Sequence, residues 1–428
     1  MSRKRKTIEG QEYGRLMMPD GSWYTRDCGV TGLNNNVAVI GPSGSGKSSI
    51  MGVLNALESG TSFVISDPKG TLYRTLGSTL EKQGYKVQVL DLTHMERSAK
   101  YNPLSRLCTT QDIRSLARMI VCSQYGGEEN VTNRDPYWDF SAESMLCACI
   151  AYLMEYDKPM SERTLMKVLD IVNEIEPDGG IRQKVFTNFK NLQNCAEQQG
   201  EDSWAYRMMH QFEGLSEKTL SCVMSTVASM LVCFEGHEYK ELFSGDDFCF
   251  KNLGNELTAY FVIVSDCDRS NDITANVFYT QAMKELCDYA DNECEGGRLP
   301  IPVVFMLDDF ATNCKISGFE NMISNIRARN ISAMIMLQSI LQLEEGYGRS
   351  SHTIINNCDT VIYMGANSPH DASYFANRAN KPLHEMLEMP LFTSWIFRRS
   401  HKPRFVENID PRGYVEKRSK VSLLADKG

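Results

Sequence analysis

The run Gly41-Pro42-Ser43-Gly44-Ser45-Gly46-Lys47-Ser48-Ser49 sets glycines, hydroxyls and one lysine at the spacing that wraps a polyphosphate. Glycines let backbone N–H groups turn inward around a β-phosphate, Lys47 reaches the β and γ oxygens, and the Ser48 hydroxyl can hold Mg²⁺. Much later in the chain, Asp308 offers a carboxylate for that magnesium, through water, and Asp309 one to orient an attacking water. Gln338 carries an amide that can donate to a γ-phosphate and accept from water, so it can report the state of the nucleotide. Arg327 and Arg329 can each reach a phosphate held by a neighbouring subunit and stabilise transition-state charge. A pair of solvated charges favoured at a helix end explains the same two arginines. The chemistry these groups share is hydrolysis of a nucleoside triphosphate.

Such groups work only if a sheet brings them to one edge. The apolar run VAVI (37–40) leads into the phosphate loop as a buried strand, and IMGVLNAL continues it as a helix whose amino terminus adds partial positive charge. TSFVIS (61–66), KVQVLDL (86–92), LTAYFVIVSD (257–266), PVVFMLDDF (302–310), AMIMLQS (333–339), DTVIYMGA (359–366) and SWIFRR (394–399) read as further strands, with helical patterns between them. The spacing predicts an α/β fold: a twisted, mostly parallel sheet of about eight strands covered by helices, joined by right-handed crossovers. Gly84 should close the helix over 71–84, and a short hairpin is expected around Trp23 and Tyr24, packed beside the nucleotide site.

From Leu107 to Phe234 the apolar residues follow helical spacing and no strand is evident, which predicts an all-α domain over 107–234. The nucleotide-binding domain is then split into 1–106 and 235–410, with a mobile tail over 411–428. Asp67-Pro68-Lys69-Gly70 reads as a turn, although Lys69 can also face phosphate or a neighbouring subunit. Arg134-Asp135-Pro136-Tyr137-Trp138 reads as the start of a packed helix, and Gly296-Gly297 and Asp178-Gly179-Gly180 as loop tips.

The net charge of -9 excludes a protein that coats nucleic acid over its whole surface, although a local basic channel is compatible with it. Fourteen cysteines sit mostly within apolar patterns, without a C-x-x-C pair, which fits a reduced cytosolic compartment and neither a disulfide frame nor a zinc site. No apolar run approaches the ~18 residues of a membrane span, and the basic cluster Arg3 to Lys6 reads as a solvated start or as a patch for anionic head groups.

The segments GPSGSGKSS, SDPKG (66–70), YNPL (101–104), DPYWDFSAESML (135–146), GGRLPIPVVFMLDDFAT (296–312), RARNISAMIMLQSILQLEEGYG (327–348) and NNCDTVIYMGAN (356–367) occur in one order over most of the chain. In that order the sequence resembles the coupling ATPases of type IV secretion and bacterial conjugation, the TraG/TraD-type proteins. The resemblance implies a RecA-like P-loop NTPase domain interrupted by an all-α domain, assembling as a homo-hexamer and using ATP and Mg²⁺. It implies recruitment of single-stranded DNA with its relaxase, or of protein effectors, and their transfer through type IV secretion channel components at the cytoplasmic face of the inner membrane. The family's phosphate-loop lysine and hydroxyl fall on Lys47 and Ser48, its magnesium aspartate on Asp308, its sensor glutamine on Gln338 and its arginine finger on Arg327. Members usually carry glutamate where Asp309 stands, glycine where Asn330 stands, and transmembrane helices at the start; their absence here points to a removed anchor or to a separate membrane partner. Asn330 tolerates the left-handed backbone a glycine would adopt. Two other readings share the motor: a receptor that binds ATP and hydrolyses little, and a DNA motor of the FtsK/HerA type, which would not be expected to carry the helical insertion.

Overall fold

A computed structural model describes residues 14–123, 136–155, 159, 162–175, 181–312 and 314–414, without the side chains of 181–184. The basic cluster Arg3 to Lys6, Arg134 and Asp135, the loop tip at 178–180, and residues 415–428 lie outside the described residues.

Eleven strands are described: β1 (Arg15–Met17), β2 (Trp23–Thr25), β3 (Val37–Ile40), β4 (Ser62–Pro68), β5 (Lys86–Asp91), β6 (Thr258–Val264), β7 (Val303–Leu307), β8 (Ile331–Leu337), β9 (Thr360–Tyr363), β10 (Thr393–Arg398) and β11 (Arg404–Glu407). β1 and β2 form the hairpin around Trp23 and Tyr24. The other nine make one sheet in the order β11-β10-β9-β3-β8-β7-β4-β6-β5, one more strand than the expected eight. The extra strand is β11, an antiparallel edge whose residues are almost all exposed, so burial left no apolar run to read.

β9, β3, β8, β7, β4 and β6 are parallel neighbours, and each is fully buried along its length. Helices on both faces exclude water from such a sheet, which is why these strands read as continuous apolar runs. All their carboxyl ends point to one edge, and the chain leaves β3 there into residues 41–46 and β7 into Asp308.

The helix after β3 is wound wide over Lys47–Gly52 and becomes an ordinary α-helix over Val53–Glu58, every residue of which is buried. Asn55, fully buried, accepts from Met17 N (3.0 Å) and donates to Met17 O (3.2 Å) and Met51 O (3.0 Å). This ties the β1–β2 hairpin to the phosphate-loop helix, as expected. The helix Thr71–Lys82 ends on Gln83, and Gly84 at φ +89° follows it, the left-handed step for which glycine is suited.

The chain divides into two compact units: residues 1–89, 249–269 and 282–428 form one, and 90–248 with 270–281 the other. The expected helical block 107–234 falls within the second unit, which begins earlier and ends later than that block. Among its described residues are helices Thr110–Ser123, Pro136–Glu155, Leu165–Glu174, Ile181–Gln198, Trp204–His210, Glu217–Leu231 and His237–Leu242. The helical run Glu217–Phe234 has the length and apolar composition of a membrane span, where the sequence reading saw no apolar run of that kind. Leu220, Val223, Val227, Met230 and Leu231 bury one side of it.

Candidate nucleotide site

The phosphate loop owes its shape to its glycines. Gly44 and Gly46 sit at φ +81° and +93°, and a Cβ on Gly46 would meet Ile50 Cδ1 at 2.7 Å. A Cβ on Gly41 would lie 2.9 Å from Met364 Cβ, so the residue that follows β9 packs hard against the loop's first turn. Ile50 N donates to Gly46 O (2.7 Å), which starts the helix immediately. Ser45 Oγ is buried without a hydrogen-bond partner among the described residues. An anion held by the loop would satisfy it.

Lys47 is only 7% exposed, and its Nζ donates to the carbonyls of Gly41 (2.6 Å) and Pro42 (3.1 Å). Burial pulls its pKa below the ordinary lysine value, and the carboxylates of Asp308 and Asp309 partly restore it. A lysine held this way follows negative charge into the loop.

β8 separates β3 from β7, so Gln338 leaves the sheet between the phosphate loop and Asp308. The Ser48 hydroxyl donates to Asp308 Oδ2, while Asp309 N donates to Asp308 Oδ1 at 3.1 Å. Gln338 Nε2 donates to Asp309 Oδ1 at 3.3 Å, and Gln338 N to Gln342 Oε1 at 3.0 Å. Lys47, Ser48, Asp308, Asp309 and Gln338 thus meet at one edge. Burial raises the Asp308 carboxyl to about 6, with Asp309 adding to the rise and the Ser48 hydroxyl opposing it.

This donor set fits a hard divalent cation: one hydroxyl and one carboxylate side by side, with a second carboxylate on the adjoining residue. Asp309 itself takes φ +47° and Ala311 φ +70°. That turn lies against the helix Ile340–Tyr347, where a Cβ on Gly346 would come within 2.8 Å of Ala311 Cβ.

Arg327 stands apart from these groups. It lies in the turn Ile326–Arg329 before β8, at the sheet edge opposite Gln338, and the seven residues of β8 span roughly 23 Å. Its side chain is exposed and makes no hydrogen bond or ion pair among the described residues. Arg329 is engaged: its Nε and Nη2 hold Asp291 at 2.8 and 2.6 Å. Asn330 takes φ +65°, the left-handed conformation anticipated for it.

Lys69 adopts φ +73°, and its Nζ pairs with Asp266 at 2.7 Å where β6 ends. Asp67 is fully buried and accepts from Leu72 N (3.0 Å) and Tyr73 N (2.7 Å), so SDPKG is a turn that caps the helix Thr71–Lys82. Pro136 opens the helix Pro136–Glu155, with Tyr137 and Trp138 edge to face at 5.3 Å and both exposed in part. All fourteen cysteines are free, and no group of metal-ligating side chains with histidine or cysteine occurs among the described residues.

Three contributors escaped the sequence reading. Ser66 Oγ donates to Asp308 O (3.3 Å), Gln342 holds the backbone of Gln338, and Met364 backs the phosphate loop. Of these only Gln342 carried a local signal, its i+4 spacing from Gln338.

A family model described as "Type IV secretory system Conjugative DNA transfer" matches residues 1–380. The fold is similar to the bacterial conjugative coupling protein TrwBdeltaN70 in its unbound monoclinic form, at 13% identity and TM-score 0.67 over 92% of this chain and 88% of that one. It is similar to the plasmid coupling protein TrwB in complex with ADP and Mg²⁺, at 14% identity and TM-score 0.65 over 92% and 89%. VirB4 of Thermoanaerobacter pseudethanolicus matches at 13% identity and TM-score 0.56 over 94% and 97%. No curated protein matches in sequence.

Proposed function

Since the chain belongs to the type IV secretory system conjugative DNA transfer family, we propose that it is an ATP-hydrolysing coupling protein. In this reading it recruits single-stranded DNA with its relaxase, or protein effectors, to the secretion channel at the cytoplasmic face of the membrane, and works as a homo-hexamer. The observation that carries it is the meeting of Ser48 with Asp308 and of Gln338 with Asp309 beside Lys47, although some 260 residues lie between Ser48 and Asp308. That a TrwB structure holds ADP and Mg²⁺ supports the choice of ligand.

The loop N–H groups between Gly41 and Ser49 and the Lys47 ammonium bind the β- and γ-phosphates of ATP. Ser48 and Asp308 would hold Mg²⁺, which would supply Lewis-acid stabilisation of the charge that develops on the triphosphate. Asp309 accepts a hydrogen bond from water and aims it at the γ-phosphorus, while the Gln338 amide holds Asp309 and passes the change at the γ-phosphate to its own strand end. Arg327, on the far edge of its own sheet, serves a neighbouring subunit's triphosphate. Hydrolysis then depends on assembly.

Purified protein is expected to hydrolyse ATP faster when single-stranded DNA is added, and Lys47→Ala to abolish both the basal and the stimulated rate. Turnover near zero and indifferent to DNA would instead favour a substrate receptor that binds ATP without working as a motor. The short Asp309 carboxylate makes a separate prediction. If its reach limits water placement, Asp309→Glu raises the turnover number severalfold at unchanged KM; a loss would mean that the left-handed turn at φ +47° is already fitted to aspartate.

A further inference from the structure

The sheet edge that carries the phosphate loop also carries an apolar prong with no part in the site described above. Leu391 is 83% exposed and Phe392 73%; among the described large apolar residues only Val30, at 76%, is comparably exposed. Phe392 adopts φ +62°, a conformation unusual for an aromatic residue. The turn is not slack. Thr393 Oγ1 donates to Pro390 O (2.6 Å), Asn408 N donates to Phe392 O (2.8 Å), and Ser394 Oγ donates to Asn408 Oδ1 (2.7 Å). A fixed backbone that holds a phenylalanine and a leucine out to solvent is suited to receive a flat apolar partner.

Register says which partner is within reach. Trp395 of β10 lies opposite Tyr363 of β9, and Tyr363 opposite Ile40 of β3, the last residue before the phosphate loop. β10 runs antiparallel, so going back from Trp395 to Phe392 moves three residues, about 10 Å, beyond the sheet edge on the side of the loop. Two strand spacings set the lateral offset from β3 at about 10 Å. Position 392 therefore stands beside the loop at the level of Ser43, roughly one nucleoside length from the phosphates. Ile396 packs in the same core as Ile50 and Met51 of the phosphate-loop helix, which puts Ile396 and Ser394 on that face of β10; the alternation ends there, because Phe392 precedes the strand at φ +62°.

We propose that Leu391 and Phe392 form the platform on which the purine base of the bound nucleotide stacks. This rests on the reading of Lys47 and its loop as the phosphate site. The phosphates then supply binding common to any triphosphate, and the prong supplies the part that distinguishes a nucleoside triphosphate from bare polyphosphate. Stacking on an aromatic face is tolerant of base identity, so the platform favours purines without choosing strictly between adenine and guanine.

The test compares Mg²⁺-ATP with Mg²⁺-tripolyphosphate by calorimetry. The intact chain should bind ATP more tightly, Phe392→Ala should weaken ATP about tenfold and leave tripolyphosphate unchanged, and Phe392→Trp should keep the ATP affinity. Equal losses for both ligands, or no loss for either, would overturn the platform. A fall in oligomeric mass with ATP affinity unchanged would also overturn it and make the prong a contact between copies. If Lys47→Ala leaves tripolyphosphate binding intact, the phosphate-loop reading fails and takes the platform with it. If Lys47→Ala abolishes tripolyphosphate binding while Phe392→Ala changes nothing, the platform alone fails.

Discussion

Replacing Arg327 with alanine is expected to lower ATP turnover roughly a thousandfold while nucleotide affinity changes little. The reason is geometric. Arg327 is exposed and sits at the amino end of β8, and that strand's length separates it from Gln338. It cannot touch the triphosphate of its own chain, so its removal costs transition-state charge stabilisation only where a second copy presents a site to it. Arg329 makes the contrasting case. Its two-pronged pair with Asp291 is half-buried, so Arg329→Ala should lower the melting temperature and spare the chemical step. Mixing Arg327→Ala with Lys47→Ala protein separates the two readings. Each variant is dead alone; a mixed assembly that pairs an intact Arg327 with an intact phosphate loop regains turnover. A mixture that stays inactive while the oligomeric mass is normal would remove Arg327 from the mechanism.

Much of this site was legible because its parts are local. The phosphate loop is a continuous run, and Asp308 and Gln338 each follow a strand that is apolar throughout because it is buried on both faces. Parts fixed by distant partners were not legible. β11 is an exposed edge, tied to the hairpin by Arg404 on Asp20 (2.6 Å), 384 residues apart. Arg26 is 1% exposed and donates to Arg15 O (2.9 Å) and Ser332 Oγ (3.2 Å); burial lowers its pKa to about 10, and nothing in its neighbours announces an interior arginine. Lys69 offered two readings until Asp266 supplied its partner. The helix Asp272–Glu293 passes from one compact unit to the other between Gln281 and Ala282, and its periodicity carries no mark of the change. Asp309 at positive φ had no signal either, since aspartate occurs in both conformations.

The second large effect is a trade between stability and activity at Asp308. Its carboxyl rises from the ordinary 3.8 to about 6, chiefly through burial. Between those values the folded chain holds the proton and the unfolded chain has released it, so stability from this group falls as the pH rises through that window. Above about pH 6 the ionised form costs the nucleotide-free fold about 3 kcal/mol. Asp308→Asn removes the charge, keeps one oxygen to accept from Asp309 N, and presents its NH2 to Ser48 Oγ, a hydroxyl that can accept as well as donate. Without nucleotide or Mg²⁺, the variant should therefore melt higher than the parent at pH 7.5, and its melting temperature should lose the decline between about pH 4 and pH 6. Adding Mg²⁺-ATP should narrow the gap: the parent gains about 2.7 kcal/mol at a hundredfold excess over its Kd, nearly offsetting the buried charge, whereas the variant has lost its cation ligand and gains less. Turnover by the variant should fall by several kcal/mol of barrier, the share carried by the metal. An Asp308→Asn protein that melts lower than the parent without ligand would show that burial does not strain this carboxylate, and one that still hydrolyses ATP at the parent rate would show that it is not the seat of the cation.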